Sequence, residues 1–495
     1  YLVVNVSHAN RSVNDSARMR SGQVFHQLSD IKETNMLAQD CNTAMCIFDP
    51  LRYVTIVPSM KTFNNYLVVF ALLFGFFATA EAQITEKPGF GKFAITGATI
   101  HTVTNGTIED GVVLIDGKDI EFVGQNIRIT NDYTTINASG KHIYPGFIDG
   151  WSGLGLTEIS SVPVTVDNAE IGQFNPHMYA FTAFNPHSAA VPVTRVSGVT
   201  TVLSHPSSGS ISGKAAVMDL WGYSPDSMAV RKSGALIMNL PNKGGGWWDN
   251  RSDAQIQRQY DQNIKEINDF LDKARFYDKM MKAYEADPSG KNKPDYDPRM
   301  EEMREVLAGE VPVVISADDE EEILDAIEWT KQHEDMRFVL EGVREGWRVA
   351  EQIAEAGIPV LTTTLYTPSR DYDNYKRPYQ NPGMMMEAGV KVAIVSNDTE
   401  NSRNTPFEAG YAAAYGMGTE EAIKAITINP AEIFGVDDKL GSIEAGKQAN
   451  LIISDGDPLE PMTNIEQVFI KGFKIPMQSR HIQLYDEFLD RDAVE

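Results

Sequence analysis

The sequence predicts an α/β protein in which a parallel α/β barrel is accompanied by a small β-sandwich. Strand-like and helix-like segments alternate from about residue 145 to residue 437, which is the order that a parallel barrel requires. Short segments with the composition of β-strands, separated by turn residues, lie on both sides of this region, near residues 93–124 and 446–472.

The predicted β-sandwich takes strands from before and after the barrel region. Residues 93–103 have the pattern of a strand, and residues 111–124 have the pattern of a hairpin with Asp116-Gly117 in its turn. Near the other end of the chain, residues 446–454 and 465–472 are again predicted to be strands. We expect these short strands to build the sandwich.

The barrel region begins with an apolar, β-rich run that ends in Asp149 and a glycine-rich loop, a pattern typical of a buried strand. Further strands are predicted at 198–205, 311–316, 338–341, 359–363 and 390–398, and helices at 318–333, 348–356 and 419–426. A long polar helix at 252–284 precedes a proline-rich stretch. We interpret it as belonging to an insertion, at about 252–300, over the rim of the barrel.

Composition limits the classes of partner. The 495 residues are 42% hydrophobic and 22% charged, which is enough for a large core and two domains. A net charge of −25 argues against nucleic acid and anionic membrane surfaces as partners. Cys41 and Cys46 both precede a predicted processing site, so the mature chain is expected to contain no disulfide and no thiolate metal site.

The first 82 residues are predicted to be absent from the mature protein. Residues 1–59 lack clear periodicity and are interpreted as a non-native segment upstream of the true start at Met60. Residues 60–82 combine a short basic region, an apolar run and a small-x-small site, which is typical of a secretory signal peptide. The apolar run is too short to favour a membrane span. We therefore expect a mature chain that begins at Gln83, is exported to the periplasm or outside the cell, and has no membrane span after signal removal.

Four polar residues end predicted barrel strands: Asp149, His205, Glu341 and Asp398. In α/β barrels the C-terminal ends of the strands build the active site. Two or three of these side chains could bind one metal weakly or work as an acid/base pair. Structural roles compete with each. Asp149 could orient its neighbours, His205 could be a packed rim residue, and Asp398 could hydrogen-bond loop amides.

Glu341 has its own structural alternative, an ion pair with Arg344 or Arg348. His205 is the other candidate catalytic residue beside Asp398. Trp151, at the barrel mouth, could fill volume or stack on a ligand. With Asp149 it is a candidate substrate-binding residue, together with Tyr366 and Arg370 of an aromatic-rich loop that is expected to overhang the mouth.

Two motifs carry a family resemblance. Pro145-Gly146, followed by Ile148 and Asp149, resembles the Pro-Gly-(apolar)-Ile-Asp-x-His-x-His opening of the amidohydrolases, in particular the imidazolonepropionase-like branch. The second motif is similar to the family pattern Gly-x-Ile-x-x-Gly-Lys-x-Ala-(Asp/Asn)-Leu and consists of Gly441, Ile443, Gly446, Lys447, Ala449, Asn450 and Leu451. Residues 427–431, Thr-Ile-Asn-Pro-Ala, also match the family.

The resemblance covers about residues 92–475 and implies a (β/α)8 TIM-like barrel plus a small β-sandwich built from both ends of the mature chain. The N-terminal contribution to the implied sandwich is 83–144, the barrel is 145–437, the C-terminal contribution to the sandwich is 438–477, and a C-terminal tail follows at 478–495. The family hydrolyses C–N bonds with a catalytic metal.

Most metal-ligand positions of the family are substituted in this chain. The first-strand histidine pair falls on Trp151 and Gly153, and the fifth-strand histidine falls on Ser316. The sixth-strand histidine falls on Glu341, and the eighth-strand aspartate, the family base, matches Asp398. Glu341 and Asp398 are thus weak candidate ligands. The cofactor is otherwise unknown, and we expect at most one weakly bound divalent metal, with zinc favoured.

Two classes of function remain open. The first is an exported hydrolase of C–N bonds in non-peptide or cyclic amides, with a remodelled, metal-poor site. The second is a catalytically inactive protein of the same fold that acts as a binding or scaffold protein, or as the partner subunit of an active paralogue. Either would bind a small-molecule substrate or ligand, and a homo-oligomer is also compatible with the sequence. Fold alone does not decide between them.

Overall fold

The structure is a computed structural model that describes residues 87–243, 251–290, 292–365 and 374–489. The described residues belong to one compact unit, Glu86–Glu495. The predicted upstream segment and signal peptide lie outside the described residues, as do Tyr366 and Arg370.

The strands are β1 (Lys92–His101), β2 (Thr107–Asp116), β3 (Asp119–Gly124), β4 (Thr134–Asn137), β5 (His142–Pro145), β6 (Phe147–Ser152), β7 (Val199–Ser204), β8 (Ile211–Asp219), β9 (Ala229–Met238), β10 (Val313–Ala317), β11 (Phe338–Gly342), β12 (Val360–Thr362), β13 (Val392–Ile394), β14 (Leu451–Ser454), β15 (Ile465–Ile470) and β16 (Phe473–Ile475). The helices are α1 (Ala180–Ala183), α2 (Ala190–Arg195), α3 (Pro225–Met228), α4 (Asp253–Ala286), α5 (Pro298–Leu307), α6 (Glu320–Thr330), α7 (Ala350–Ala356), α8 (Arg377–Glu387), α9 (Thr405–Ala412), α10 (Thr419–Ala425), α11 (Ile428–Ile433) and α12 (Arg480–Leu489).

Strands from both ends of the described chain form one mixed sheet with the order β16-β15-β14-β5-β1-β2-β3, and β4 pairs with β1. The two ends meet at β5, which is parallel to β1 and antiparallel to β14. The apolar side chains of this sheet form their own core, which includes Ile95, Ile143 and Phe469. The prediction of a small β-domain assembled from both ends of the chain is therefore confirmed.

The predicted hairpin is β2 and β3. Asp116 pairs with Asp119 across a two-residue turn, Gly117-Lys118. Gly117 has a φ of 63°, a left-handed conformation that glycine adopts at little cost.

The second sheet forms the barrel, with the strand order β13-β12-β11-β10-β9-β8-β7-β6 within the described residues. The predicted strands at both ends of this order are present and parallel to their neighbours. Its interior is filled by alternate residues of successive strands, such as Leu203, Ile237 and Val339, over a floor that contains Phe434. The TIM-like barrel is confirmed.

Strand β8 corrects the expectation of strict strand–helix alternation. It is antiparallel to both β7 and β9. Only residues 205–210 connect β7 to β8, and residues 220–228, with the single turn of α3, connect β8 to β9. Parallel neighbours need a crossover connection of a dozen or more residues, usually a helix, so these short links force an antiparallel strand.

The predicted long helix is α4, which begins after a Ser252–Gln255 capping box. Its apolar face, including Phe270 and Leu271, joins the main core. Helix α5 packs against α4 and also meets β8, because Glu302 and Glu305 contact Lys214. The insertion therefore reaches the outer face of β8, which has no crossover helix of its own. Within the described ranges, no helix is both long and apolar enough to cross a membrane.

Lys214 is completely buried on the outer face of β8. Its ammonium group pairs with both Glu302 and Glu305 and donates a hydrogen bond to the Tyr179 hydroxyl at 3.2 Å. A buried charge needs such partners because leaving water is costly.

We expect Lys214→Met to lower the free energy of unfolding by about 2 kcal/mol, because it leaves the carboxylates of Glu302 and Glu305 without their shared cation. This loss is smaller than that for a fully buried ion pair, because both glutamates are partly solvated. Lys232→Met is the control, because Lys232 pairs with Asp226 while its side chain is 53% exposed. Denaturant unfolding of both variants measures the difference. Equal effects would contradict a structural role for the buried lysine.

Candidate functional site at the barrel mouth

The residues that face the mouth follow from strand alternation. Side chains two positions apart point to the same side of a strand. Leu203, Val314 and Val339 belong to the barrel interior. The next residues on that side, at the C-terminal ends of β7, β10 and β11, are therefore His205, Ser316 and Glu341.

Ser316 and Glu341 form a hydrogen-bonded pair at this edge. They are direct partners in the parallel register of β10 and β11. The Ser316 hydroxyl donates to Glu341 Oε2 at 2.7 Å. Ser316 is exposed, whereas Glu341 is only 6% exposed. The pair thus combines a hydroxyl in solvent contact with a carboxyl group that is largely removed from water.

Burial raises the pKa of Glu341 to about 7, and the charge of Asp318 adds to this effect, against opposing contributions from Ser316 and Arg344. Arg344 is ion-paired with Asp318 at 2.5 Å, and Arg348 lies near Glu345, so neither arginine neutralises Glu341 directly. A carboxyl group with a pKa near 7 can both accept and donate a proton at neutral pH, as general acid–base catalysis requires.

His205 and Trp151 form a stacked pair in the mouth. Their ring centroids are 3.8 Å apart with an interplanar angle of 14°, and Trp151 is 4% exposed. His205 Nδ1 lies 3.1 Å from the Pro206 carbonyl oxygen, and since a carbonyl only accepts, Nδ1 carries the proton. Burial lowers the pKa of His205 to about 4. The ring is therefore neutral at pH 7, with Nε2 as an acceptor.

Asp149 closes the barrel. It is fully buried, and its Oδ1 accepts from the Ser396 amide at 3.0 Å and the Trp151 amide at 3.4 Å, while Oδ2 accepts from the Ser396 hydroxyl. No ladder between β6 and β13 occurs among the described residues, so these bonds join the two ends of the sheet. Burial raises the pKa of Asp149 to about 6. Its observed contacts are those of a residue that orients its neighbours.

The Asp398 carboxylate holds the turn that follows β13. Oδ1 accepts from the amides of Glu400 at 2.8 Å and Asn401 at 3.1 Å, and Oδ2 accepts from the Asn401 side chain at 3.1 Å. The Asp398 backbone carbonyl accepts from the Ser152 hydroxyl at 2.7 Å. Asp398 thus lies four residues beyond the last barrel strand, in the turn that follows it, with both carboxylate oxygens engaged locally.

Glu408 is a buried carboxylate that was not predicted from the sequence. Glu408 of α9 is fully buried, and its Oε2 accepts from the hydroxyls of Thr363 and Thr364 and from the amides of Thr364 and Leu365. Burial raises its pKa. Glu408 therefore fixes residues 363–365, which directly follow β12. The signal in the sequence was an acid inside a short, otherwise apolar helix.

The donor groups do not fit the metal centre that the family resemblance implies. Such a site needs three or more converging ligands and an open position. No group of three or more His, Cys, Asp and Glu side chains converges in the described part of the chain. Trp151 and Gly153 offer no ligand atom, and the Asp398 oxygens already accept hydrogen bonds. No catalytic step is therefore assigned to a metal here.

Comparisons with known proteins agree with this architecture. The model of the amidohydrolase family matches residues 194–474. The crystal structure of an amidohydrolase from Thermotoga maritima superposes with a TM-score of 0.68 at 26% identity, covering 78% of this chain and 100% of that chain.

Curated relatives match shorter stretches. Imidazolonepropionase from Picrophilus torridus is 34% identical over 125 residues, which is 23% of this chain and 30% of that protein. N-substituted formamide deformylase from Arthrobacter pascens is 35% identical over 91 residues, which is 16% of this chain and 17% of that protein. The matched stretch thus spans less than a third of either relative. The family match, which extends over more than half of the sequence and most of the barrel, shows that this chain belongs to the amidohydrolase family.

Proposed function

We propose that this protein hydrolyses a C–N bond of a small amide at the barrel mouth and that Glu341 moves the proton during the reaction. This proposal rests on the Ser316–Glu341 pair, which lies at the C-terminal edge of β10 and β11. Barrel enzymes have their active sites at this edge. Family membership supports hydrolysis of C–N bonds. The names of the relatives point to N-substituted formamides and related small amides as the substrate class to examine first.

Each residue of the mouth has a role in this proposal. Glu341, with its pKa of about 7, accepts a proton as the nucleophile attacks the carbonyl and returns it to the leaving nitrogen. The Trp151–His205 stack forms a wall against which an apolar portion of the substrate packs. His205 Nε2, as a neutral acceptor, offers a hydrogen bond to a substrate N–H. Asp149 and Asp398 hold the strand ends that carry these groups.

Two variants distinguish between Glu341 and Asp398, the residue to which the family resemblance assigns the role of base. Purified protein is assayed against a panel of N-substituted formamides and cyclic amides. Under the proposal, Glu341→Gln lowers kcat by about 100-fold or more, the range of general acid–base catalysis, whereas Asp398→Asn lowers it by less than about 10-fold. A larger loss in Asp398→Asn than in Glu341→Gln would transfer the role to Asp398.

A second candidate function is ligand binding without turnover, by a scaffold protein or a subunit of an active paralogue. The observation that favours it is the Trp151–His205 stack, which occupies the mouth where the family pattern has its first-strand ligands. Calorimetric titration with the same amide panel distinguishes the two. Binding of an amide with no product released over many hours would favour the binding function, and product formation would exclude it.

We also propose that the protein is exported after removal of residues 1–82, on the basis of the signal-peptide pattern. Intact-mass measurement of protein purified from its native source is expected to give a chain that begins at Gln83. A species that retains residues 1–59 would contradict both the processing site and the interpretation of Met60 as the start.

A further inference from the structure

We propose that Ser316 is the nucleophile of this site and that hydrolysis proceeds through an ester between Ser316 Oγ and the acyl portion of the substrate, with Glu341 as the base. This inference rests on the proposed function and deepens it, because it names the atom that attacks the amide. The attacking atom is then one that the chain itself supplies.

The geometry of the pair meets the requirements of an activated hydroxyl. A serine nucleophile needs an adjacent base within hydrogen-bond reach. Ser316 Oγ donates to Glu341 Oε2 at 2.7 Å, and Ser316 is exposed, so a carbonyl group can approach its oxygen. The two residues sit opposite each other in one parallel ladder, and Val314 and Val339 beneath them are buried in the barrel core. The pair is thus held on rigid strands instead of on a mobile loop.

The other serine–carboxylate pairs among the described residues lack one of these properties. The Ser233 hydroxyl donates to Glu305, but Glu305 is ion-paired with Lys214. Ser442 donates to Glu444, which is paired with Lys447. A cation that already neutralises the carboxylate weakens it as a base.

Burial of the serine excludes two further pairs. Ser188 donates to Glu158 at 3.1 Å but is 2% exposed. Ser396 donates to Asp149, but Ser396 is 1% exposed and out of reach of a substrate. Among the described residues, an exposed serine hydroxyl on a buried carboxyl group without an ion-paired cation occurs only at Ser316 and Glu341.

The reaction balances with water as the only co-reactant. Ser316 Oγ attacks the amide carbonyl carbon while its proton passes to the Glu341 carboxylate. The C–N bond then breaks, and Glu341 returns the proton to the leaving nitrogen, which gives a free amine and an acyl ester on Ser316. Water attacks this ester, its proton passes through Glu341 to Ser316 Oγ, and a carboxylic acid leaves. The net change is amide plus water to acid plus amine.

The test uses an alkyl fluorophosphonate, a probe that phosphonylates activated serine hydroxyls, on the whole protein, followed by peptide mass spectrometry. The expected result is a label on the peptide that contains Ser316, formed faster as the pH rises through about 7, where Glu341 ionises. Ser316→Ala removes the label, and Glu341→Gln slows its formation by about 100-fold. Ser233→Ala is the matched control, because it removes a similar hydrogen bond outside the mouth, and its labelling is expected to equal that of the unmodified protein.

Turnover and labelling together separate this inference from the proposed function. If Ser316 is labelled but no amide of the panel is hydrolysed, the assignment of Ser316 as nucleophile is retained and the proposed hydrolysis of these amides is rejected. If amides are hydrolysed and Ser316→Ala retains full kcat, the proposed function is retained and the reaction through an ester on Ser316 is overturned. No label at Ser316 between pH 5 and 9, in a protein whose circular dichroism shows it folded, also overturns the inference. Because Ser316 is exposed, its replacement by alanine is expected to leave folding intact.

Discussion

Replacing Asp149 by alanine is expected to lower the free energy of unfolding by about 3 kcal/mol. The change leaves the Ser396 amide, the Ser396 hydroxyl and the Trp151 amide without their acceptor in a site that water does not reach. Each buried donor left unsatisfied costs about 1–3 kcal/mol, and local relaxation relieves some of that cost. Because these bonds join β6 to the residues that follow β13, the lost free energy is that which stabilises the closure of the barrel.

The matched control is Asp455→Ala. Asp455 accepts two bonds from Asn464, from its amide and from its side chain, both at 2.7 Å, but Asp455 is exposed. Water replaces the lost acceptor there, so we expect a much smaller cost than for Asp149→Ala. Denaturant unfolding monitored by circular dichroism measures both variants. If Asp149→Ala lowers the free energy of unfolding no more than Asp455→Ala does, the hydrogen bonds of Asp149 do not stabilise the closure of the barrel.

The second large effect is a dependence of stability on pH that Glu341 creates. Its pKa is about 7 in the folded protein and 4.5 in the absence of the fold, because burial disfavours the carboxylate. Between these values the folded state binds more protons than the unfolded state. The free energy of unfolding contributed by this group is therefore fully present below about pH 4.5 and falls as the pH rises to about 7. From the two pKa values the total is roughly 3 kcal/mol.

Glu341→Gln isolates this contribution, because glutamine is neutral at every pH. We expect the variant to be less dependent on pH than the unmodified protein and to become relatively more stable as the pH rises from 5 to 8. Chemical denaturation at closely spaced pH values gives the difference between the two proteins, which cancels the contributions of Asp149 and Glu408. A difference that stays constant over this range would contradict the buried state of Glu341.

Glu444→Gln provides a control of opposite sign. Glu444 also accepts a hydrogen bond from a serine hydroxyl, that of Ser442, but hydrogen bonds from Ser442 and Thr104 hold its pKa below the usual range. Its stabilising effect is present above its unfolded pKa and is lost as the pH falls. Removing Glu444 should therefore cost stability at neutral pH, where removing Glu341 adds it. The same type of hydrogen bond thus gives opposite linkage when burial differs.

The sequence indicates which polar residues lie at the ends of the barrel strands, but it does not indicate how these groups pair. Glu341 and Asp398 were placed at strand ends because a strand ending in a polar residue has a local pattern. In the sequence, Ser316 is distinguished only by the family histidine that it replaces. Its partnership with Glu341 depends on the register of β10 against β11, which the residue pattern of neither strand specifies.

Local pattern determined the elements of this protein, since the alternation of apolar residues, Asp-Gly turns and helix caps depends on neighbours in the chain. The tertiary structure decided the direction of β8, because two short connections leave no room for a crossover. It also decided the role of Asp149, whose main partner, Ser396, lies 247 residues away. The pKa of Glu341 is likewise set by burial, because the loss of water around a carboxyl group depends on every element packed over it and not on the residues beside it.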